Sequence, residues 1–145
     1  MRRMRRLSQG KASMSPRVLL ASAFQLDRRG REREAIPRYK EAIALGLSDA
    51  LLREALICLS SSLETVGKAK EAIRYLRRAK NMWPNDAVID LFLASALRSQ
   101  GNIEGSLSVL AAALLCRTRG RRVESYLPVI RRKLRIRHLK DKRKE

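Results

Sequence analysis

The side chains that could do chemistry are few and far apart in this sequence of 145 residues. The single histidine, His138, lies in a basic stretch, where a solvated side chain is the simplest interpretation. Cys58 and Cys116 lack the short spacing of metal ligands, and their apolar neighbours indicate packing in the core. Gly101 and Gly105 are not followed by the Lys-Ser or Lys-Thr pair of a phosphate-binding loop. The sequence therefore predicts no enzyme activity, no metal site and no cofactor.

Composition indicates a protein built from helices. Apolar residues make up 45% of the chain but aromatic residues only 4%, so Leu, Ala, Ile and Val must form the core. The β-branched runs that strands prefer are missing, which favours an all-α fold. Only two cysteines are present, which favours a reducing compartment, and no apolar run is long enough to cross a bilayer. We therefore expect a cytoplasmic protein without a transmembrane segment.

The net charge of +19 is concentrated at the two ends of the chain. Residues 1–17 have six basic and no acidic side chains, and residues 117–145 have thirteen basic and three acidic ones. The centre, residues 18–116, has fourteen basic and eleven acidic side chains, a net charge of only +3. A nearly neutral centre therefore lies between two basic ends.

Apolar residues at spacings of three and four predict six helices between residues 16 and 117. Ser15 and Asp49 are suited to cap the first and third helices, and either Asn85 or Asp86 to cap the fifth. The predicted helices end near Gly30, Gly46, Gly67, Pro84, Gly101 and Arg117. Short intervals between them indicate three helix pairs.

The three pairs share one spacing of residues. Gly67 is followed by Ala72, Leu76, Ala79 and Pro84, at offsets of 5, 9, 12 and 17. The first four of these positions correspond to Gly30, Ala35, Tyr39 and Ala42 in the first pair, and to Gly101, Ser106, Leu110 and Ala113 in the third. The turn glycines are 37 and 34 residues apart, and a period of 34 residues is typical of one helical repeat.

With these residues, the chain resembles the tetratricopeptide repeat family, and most closely its small stand-alone bacterial members. Two departures from the family pattern lie in the third repeat, which has Asp90 at a place normally apolar and no final proline. The resemblance implies an α-solenoid, a right-handed superhelix of three helix-turn-helix pairs, over residues 16–117. The repeats would span residues 16–49, 50–86 and 87–117.

The two ends are expected to differ from this array. Residues 1–15 are polar and basic, which predicts a disordered arm. Residues 118–145 predict a basic capping helix and tail, because Val123, Tyr126, Leu127, Ile130 and Leu134 keep a helical spacing that could cover the last repeat. The outer face of this helix would be a basic surface of Arg131, Arg132, Lys133, Arg135 and Arg137.

The resemblance also implies a binding groove lined by the first helix of each pair. Its places correspond to Arg17, Leu20, Phe24, Asp27 and Arg28; Glu54, Ile57, Ser61, Glu64 and Thr65; and Val88, Leu91, Ser95, Arg98 and Ser99. Among these we select Leu20, Phe24, Asp27, Ile57, Ser61, Glu64, Leu91, Ser95 and Arg98 as the partner-binding groove. Family members that hold a C-terminal carboxylate of a chaperone have Lys and Asn where this chain has Leu20 and Phe24, so that role is not expected.

Four of the groove residues, Leu20, Phe24, Ile57 and Leu91, form an apolar strip suited to an amphipathic helix or an extended peptide. The alternative is that some of them pack inside the array. The leading hypothesis is a non-enzymatic adaptor that binds another protein in this groove. A second hypothesis is binding to nucleic acid or the ribosome through the basic tail, and a third is peripheral association with an anionic membrane. A tail that is simply solvated would explain the same charges.

Overall fold

The computed structural model describes residues 14–117 and, beyond them, Val129. Its described part is all-α, as the sequence predicts, with six helices and no strand. The helices are α1 (Pro16–Arg28), α2 (Glu32–Leu45), α3 (Asp49–Thr65), α4 (Ala69–Met82), α5 (Ala87–Ser99) and α6 (Ile103–Arg117). The predicted arm, apart from its last two residues, lies outside the described residues. So do the predicted capping helix, apart from Val129, and the basic surface of Arg131, Arg132, Lys133, Arg135 and Arg137.

Two of the three predicted helix caps are confirmed. The Ser15 hydroxyl accepts a hydrogen bond from the Val18 backbone N–H at 3.3 Å, and Asp86 accepts one from the N–H of Val88 at 2.9 Å. These bonds satisfy N–H groups that have no partner inside a helix. The cap prediction for Asp49 is wrong, because Ser48 has the extended conformation of a cap and Asp49 is the first helical residue. An acidic side chain in the first turn still favours the helix through its dipole.

The turn inside each pair is made by its glycine. Gly67 has a φ of 80°, a left-handed conformation that other residues adopt at a cost. This conformation lets the N–H of Gly67 donate to the Glu64 carbonyl at 2.9 Å and the N–H of Lys68 donate to the Leu63 carbonyl at 2.7 Å. The first and third pairs end their first helices with the same two hydrogen bonds, and this pairing defines a Schellman motif. The spacing of residues after each turn glycine therefore recurs because the same turn recurs.

Small residues are buried between the helices. Ala23, Ala35, Ala42, Ala55, Ala72 and Ala79 are all fully buried. Larger side chains fill the space between them, and Tyr39, Leu59, Leu63 and Leu76 are almost fully buried. Apart from Ala79, which packs in a second cluster, these residues belong to a core that runs through the first, second and third pairs. The repeated alanines thus determine how near the backbones come, and the leucines fill the remaining volume.

The array curves toward its first helices. Within each pair the two helices pack together, and α2 and α4 pack on the first helix of the next pair. The first helices also contact one another, α1 with α3 and α3 with α5. Among the described residues, α2 does not contact α4, and α4 does not contact α6. We therefore call the side formed by α1, α3 and α5 the concave surface and the side formed by α2, α4 and α6 the outer surface.

Asp90, one of the two departures from the family pattern, is explained by an ion pair. Its side chain is 4% exposed, and its Oδ1 lies 2.6 Å from Nζ of Lys80 on α4. The same ammonium group donates to the Pro84 carbonyl at 2.6 Å. A buried carboxylate is tolerated only when it is paired, and Lys80 provides that pairing. The ion pair therefore joins α4, the loop after it and α5.

The last helix keeps an apolar face toward solvent. Ile103 and Leu107 on α6 are each more than half exposed, whereas Ser106 is buried against the rest of the array. The predicted capping helix would lie on this face, but it belongs to the part of the chain that is not described. Across the residues that are described, no helix is long and apolar enough to span a membrane.

Candidate protein-binding groove

The concave surface has a polar cleft between α3 and α5. Its volume is about 470 Å³, within the range of sites that enclose ligand groups. Its lining residues are Ser61, Glu64, Thr65, Leu91, Phe92, Ser95 and Ser99. Four residues selected from the sequence, Ser61, Glu64, Leu91 and Ser95, therefore lie together around one opening.

Glu64 is the charged group of this cleft. Its Oε1 accepts hydrogen bonds from the hydroxyls of Ser95 at 2.9 Å and Ser99 at 2.6 Å. Both serines are on α5, one turn apart, so they hold the carboxylate that projects from α3. A carboxylate has about four acceptor positions, and two of them are used here. Glu64 is therefore fixed in place while it retains the capacity to accept from a ligand.

An apolar wall stands beside this carboxylate. Leu91 is 60% exposed, and the neighbouring Phe92 is half-buried against the core. A single exposed leucine is common on protein surfaces. Here it lies in a cleft with Glu64 and four hydroxyl residues, an arrangement in which an apolar contact and a polar contact are available side by side.

A second cleft, of about 410 Å³, lies between α1 and the start of α3. Its lining residues are Arg17, Leu20, Ala21, Phe24, Ser48 and Leu51. Leu20 is only 2% exposed and belongs to the core, so it forms the floor of this cleft. Phe24 is half-buried and packs edge-to-face on Tyr39, with ring centroids 5.7 Å apart. Leu20 and Phe24 therefore already pack within the array, where the contact of Phe24 with Tyr39 joins α1 to α2, and they leave less apolar surface for a partner.

Asp27 lines a third cleft, of about 320 Å³. Its Oδ2 accepts a hydrogen bond from the Tyr39 hydroxyl at 2.7 Å, and its Oδ1 accepts one from Ser62 at 2.7 Å. Burial, together with the Asp27 carboxylate, raises the pKa of Tyr39, so the phenol stays protonated and donates this bond. Asp27 therefore links α1 to α2 and α3 and also lines a cleft with Ser61 and Thr65.

The two remaining selected residues occupy different positions. Ile57 is 7% exposed and packs in a second core cluster with Leu52, Leu56 and Ile89, so it offers little surface to a partner. Arg98 is exposed on α5 but does not line the three clefts described above. Two residues that were not among the predicted groove residues also line these clefts: Phe92 lines the α3–α5 cleft, and Leu51 lines the cleft beside α1. Their signal was weak, because each is an ordinary apolar residue beside a residue at a groove place.

The cysteines differ in their surroundings. Cys58 packs partly against the core as expected, and burial raises the pKa of its thiol, which disfavours the reactive thiolate. Cys116 is exposed near the end of α6, so the prediction that it is packed in the core is wrong. Cys58 of α3 instead lies near Asp27 and Tyr39 of the first pair. Among the described residues, no three His, Cys, Asp or Glu side chains are grouped as metal ligands.

The fold and this surface define a helical-repeat protein with an open groove of apolar, hydroxyl and carboxylate groups. A comparison with family models matches residues 16–130 to the Tetratrico peptide repeat family. The chain therefore belongs to the tetratricopeptide repeat family. Repeats of this family generally mediate protein–protein interaction, as non-catalytic scaffolds. No curated protein matches the chain.

Proposed function

We propose that this protein is a cytoplasmic adaptor that binds a segment of a partner protein along its concave surface. The observation that supports the proposal most is Glu64, a carboxylate held by two serines beside the exposed Leu91. A partner segment that carries a Lys or Arg next to an apolar side chain could pair its cation with Glu64 and pack its apolar side chain on Leu91. Charge-assisted hydrogen bonds are about twice as strong as neutral ones, so the Glu64 contact would contribute orientation as well as affinity.

The form of the partner segment follows from the shape of the surface. Besides the α3–α5 cleft, the surface has a cleft whose floor, Leu20, is already part of the core, and a smaller cleft lined by Asp27. A segment that places its side chains in the α3–α5 cleft and passes over Asp27 fits this arrangement. An extended peptide or one face of an amphipathic helix can present side chains in this way. The principal contact is therefore proposed at α3 and α5.

The test compares two matched double variants. Leu91→Ala with Glu64→Gln alters the α3–α5 cleft, and Gln keeps an oxygen that can accept from Ser95. Leu45→Ala with Glu41→Gln removes the same kinds of group from exposed positions on α2. The full chain is tested against an array of random peptides, and binding of the selected peptides is then measured in solution.

We expect the selected peptides to be enriched in Lys or Arg beside an apolar residue. The groove variant should bind them at least about tenfold more weakly, which corresponds to 1.4 kcal/mol of lost interaction. The α2 variant should bind as the wild type does. Equal binding by both variants, or no enrichment of basic residues, would show that the assignment of the groove is wrong.

A further inference from the structure

The basic charge of the central array is concentrated on one helix. α4 has five basic side chains and one acidic side chain, a formal charge of +4. Each of the other five helices has a formal charge between −2 and +1, and the value of −2 belongs to α3, its partner in the pair. The small net charge of residues 18–116 therefore hides a large difference between helices, from −2 on α3 to +4 on α4.

Four of these cations form a stripe along the exposed face of α4. Lys70, Arg74, Arg77 and Arg78 are all exposed. At 3.6 residues per turn, the first three lie within about 60° of one another around the helix axis. The buried face of the helix is formed by Ala72, Ile73, Leu76 and Ala79. The cationic stripe therefore lies on the outer surface, away from the proposed groove.

These cations lack ionic partners within the described part of the chain. The carboxylate of Glu71, the one acidic residue of α4, is bound by Lys40 at 2.6 Å. The fifth basic residue, Lys80, is paired with the buried Asp90. After Lys40, the charges of Lys68 and Arg74 also lower the pKa of Glu71, but Arg74 makes no ion pair with this carboxylate. None of the four stripe residues takes part in the ion pairs of residues 14–117.

Two carboxylates on the elements next to α4 are also engaged elsewhere. Glu64 of α3 accepts from two serines of α5 on the concave surface. Asp86, which precedes α5, is paired with Arg53 of α3. The stripe is consequently a field of one sign, formed by guanidinium and ammonium groups on a rigid helix. Such a field attracts a partner that presents closely spaced anions.

We propose that the cationic face of α4 binds the phosphate backbone of duplex nucleic acid. From Lys70 to Arg78 the helix rises by about 12 Å. Phosphates of one strand are spaced by about 3.4 Å along a B-form duplex axis, so this distance matches about three of them. Three of the four cations are arginines, whose planar fork of N–H donors fits two phosphate oxygens at once.

The same face argues for a duplex and against two other anionic partners. Single strands are bound by stacking of bases on exposed aromatic rings, but Tyr75 and Trp83 are half-buried and pack on the core clusters. Peripheral membrane helices insert an apolar face, whereas the apolar face of α4 is buried in the array. Contacts to the backbone alone predict binding without sequence preference.

The experiment measures binding of the full chain to a labelled mixed-sequence duplex as a function of salt. The variant Arg74→Gln with Arg77→Gln removes two stripe cations. Its matched control, Arg29→Gln with Arg33→Gln, removes the same charge from exposed positions at the turn between α1 and α2. Because both variants carry the same net charge, the basic ends of the chain contribute equally to each. A helical spectrum and melting temperature equal to those of the wild type show that each variant is folded.

Each phosphate contact contributes about 0.9 to the slope of log affinity against log salt concentration on duplex DNA. We expect the α4 variant to lower the magnitude of this slope by about 2 and the control variant to leave it unchanged. Equal losses in the two variants would overturn the proposal, since binding would then follow total charge. An unchanged salt dependence of duplex binding by the α4 variant would also overturn the proposal. If that variant then lost binding to phosphatidylserine-containing vesicles or to a single strand, the stripe would belong to that other partner.

Discussion

The two helices of the second pair, α3 and α4, pack on each other but serve the molecule in opposite ways. α3 contacts α1, α2, α4 and α5, and eight of its seventeen residues are buried. α4 contacts only α3 and α5 within the described array, and four of its fourteen residues are buried. α3 is therefore a central structural element, whereas α4 presents most of its surface to solvent.

The charged groups of α3 have partners within the array more often than those of α4. The acidic Glu64 of α3 is held by hydroxyl groups, and Arg53 of α3 is held by Asp86. On α4, the cations that point outward have no such partners among the described residues. Substitutions in α3 should therefore change folding, and substitutions on the outer face of α4 should change only what the surface attracts.

The largest expected effect comes from a leucine of α3. Leu59 is fully buried, so Leu59→Ala should lower the free energy of unfolding by about 2–5 kcal/mol through lost burial and the cavity left behind. Arg77→Gln on the exposed face of α4 should change it by less than about 0.5 kcal/mol. Urea unfolding of both variants measures these values. A comparable loss in Arg77→Gln would contradict the contrast between the two helices.

The same contrast explains what could be predicted from the sequence. Gly67, Ala72 and Ala79 are constrained by turn geometry and close packing. Because these constraints repeat in each pair, the spacing of such residues in the sequence was enough to predict the architecture. The pairing of Asp90 with Lys80 does not repeat, and Asp90 therefore looked like a departure from the pattern. The site was harder to predict because it depends on exposure. Leu20 and Leu91 occupy equivalent places, but one is in the core and the other projects into a cleft.

A smaller effect is expected where a cation of α4 does have a partner. Lys80→Met would leave the buried Asp90 carboxylate without its counterion, and we expect a loss of about 1–3 kcal/mol in the free energy of unfolding. Lys80→Met with Asp90→Leu should recover most of that loss, because an apolar pair can replace a buried ion pair. Lys70→Met serves as the control on the exposed face. A double variant as unstable as Lys80→Met alone would show that the ion pair itself holds α5 on α4.

The smallest effect concerns the ion pair that joins α3 to the start of α5. The guanidinium of Arg53 and the N–H groups of Val88 and Ile89 lower the pKa of Asp86 below its ordinary value of 3.8. A lowered pKa in the folded state means that the carboxylate stabilises the fold above pH 3.8 and that this stabilisation is lost as the pH falls through the folded-state pKa. Asp86→Asn keeps an oxygen for the cap but removes the charge.

At neutral pH we therefore expect Asp86→Asn to cost about 0.5–1 kcal/mol, and the difference from the wild type should shrink below pH 3.8. Chemical unfolding at a series of pH values measures this difference. Glu71→Gln is the matched variant on α4, since Lys40 lowers the pKa of Glu71 in the same direction from 4.5. Because the Glu71 pair is more exposed, its loss should be the smaller of the two. The opposite order would mean that α4 is held by its charges and not by its buried face.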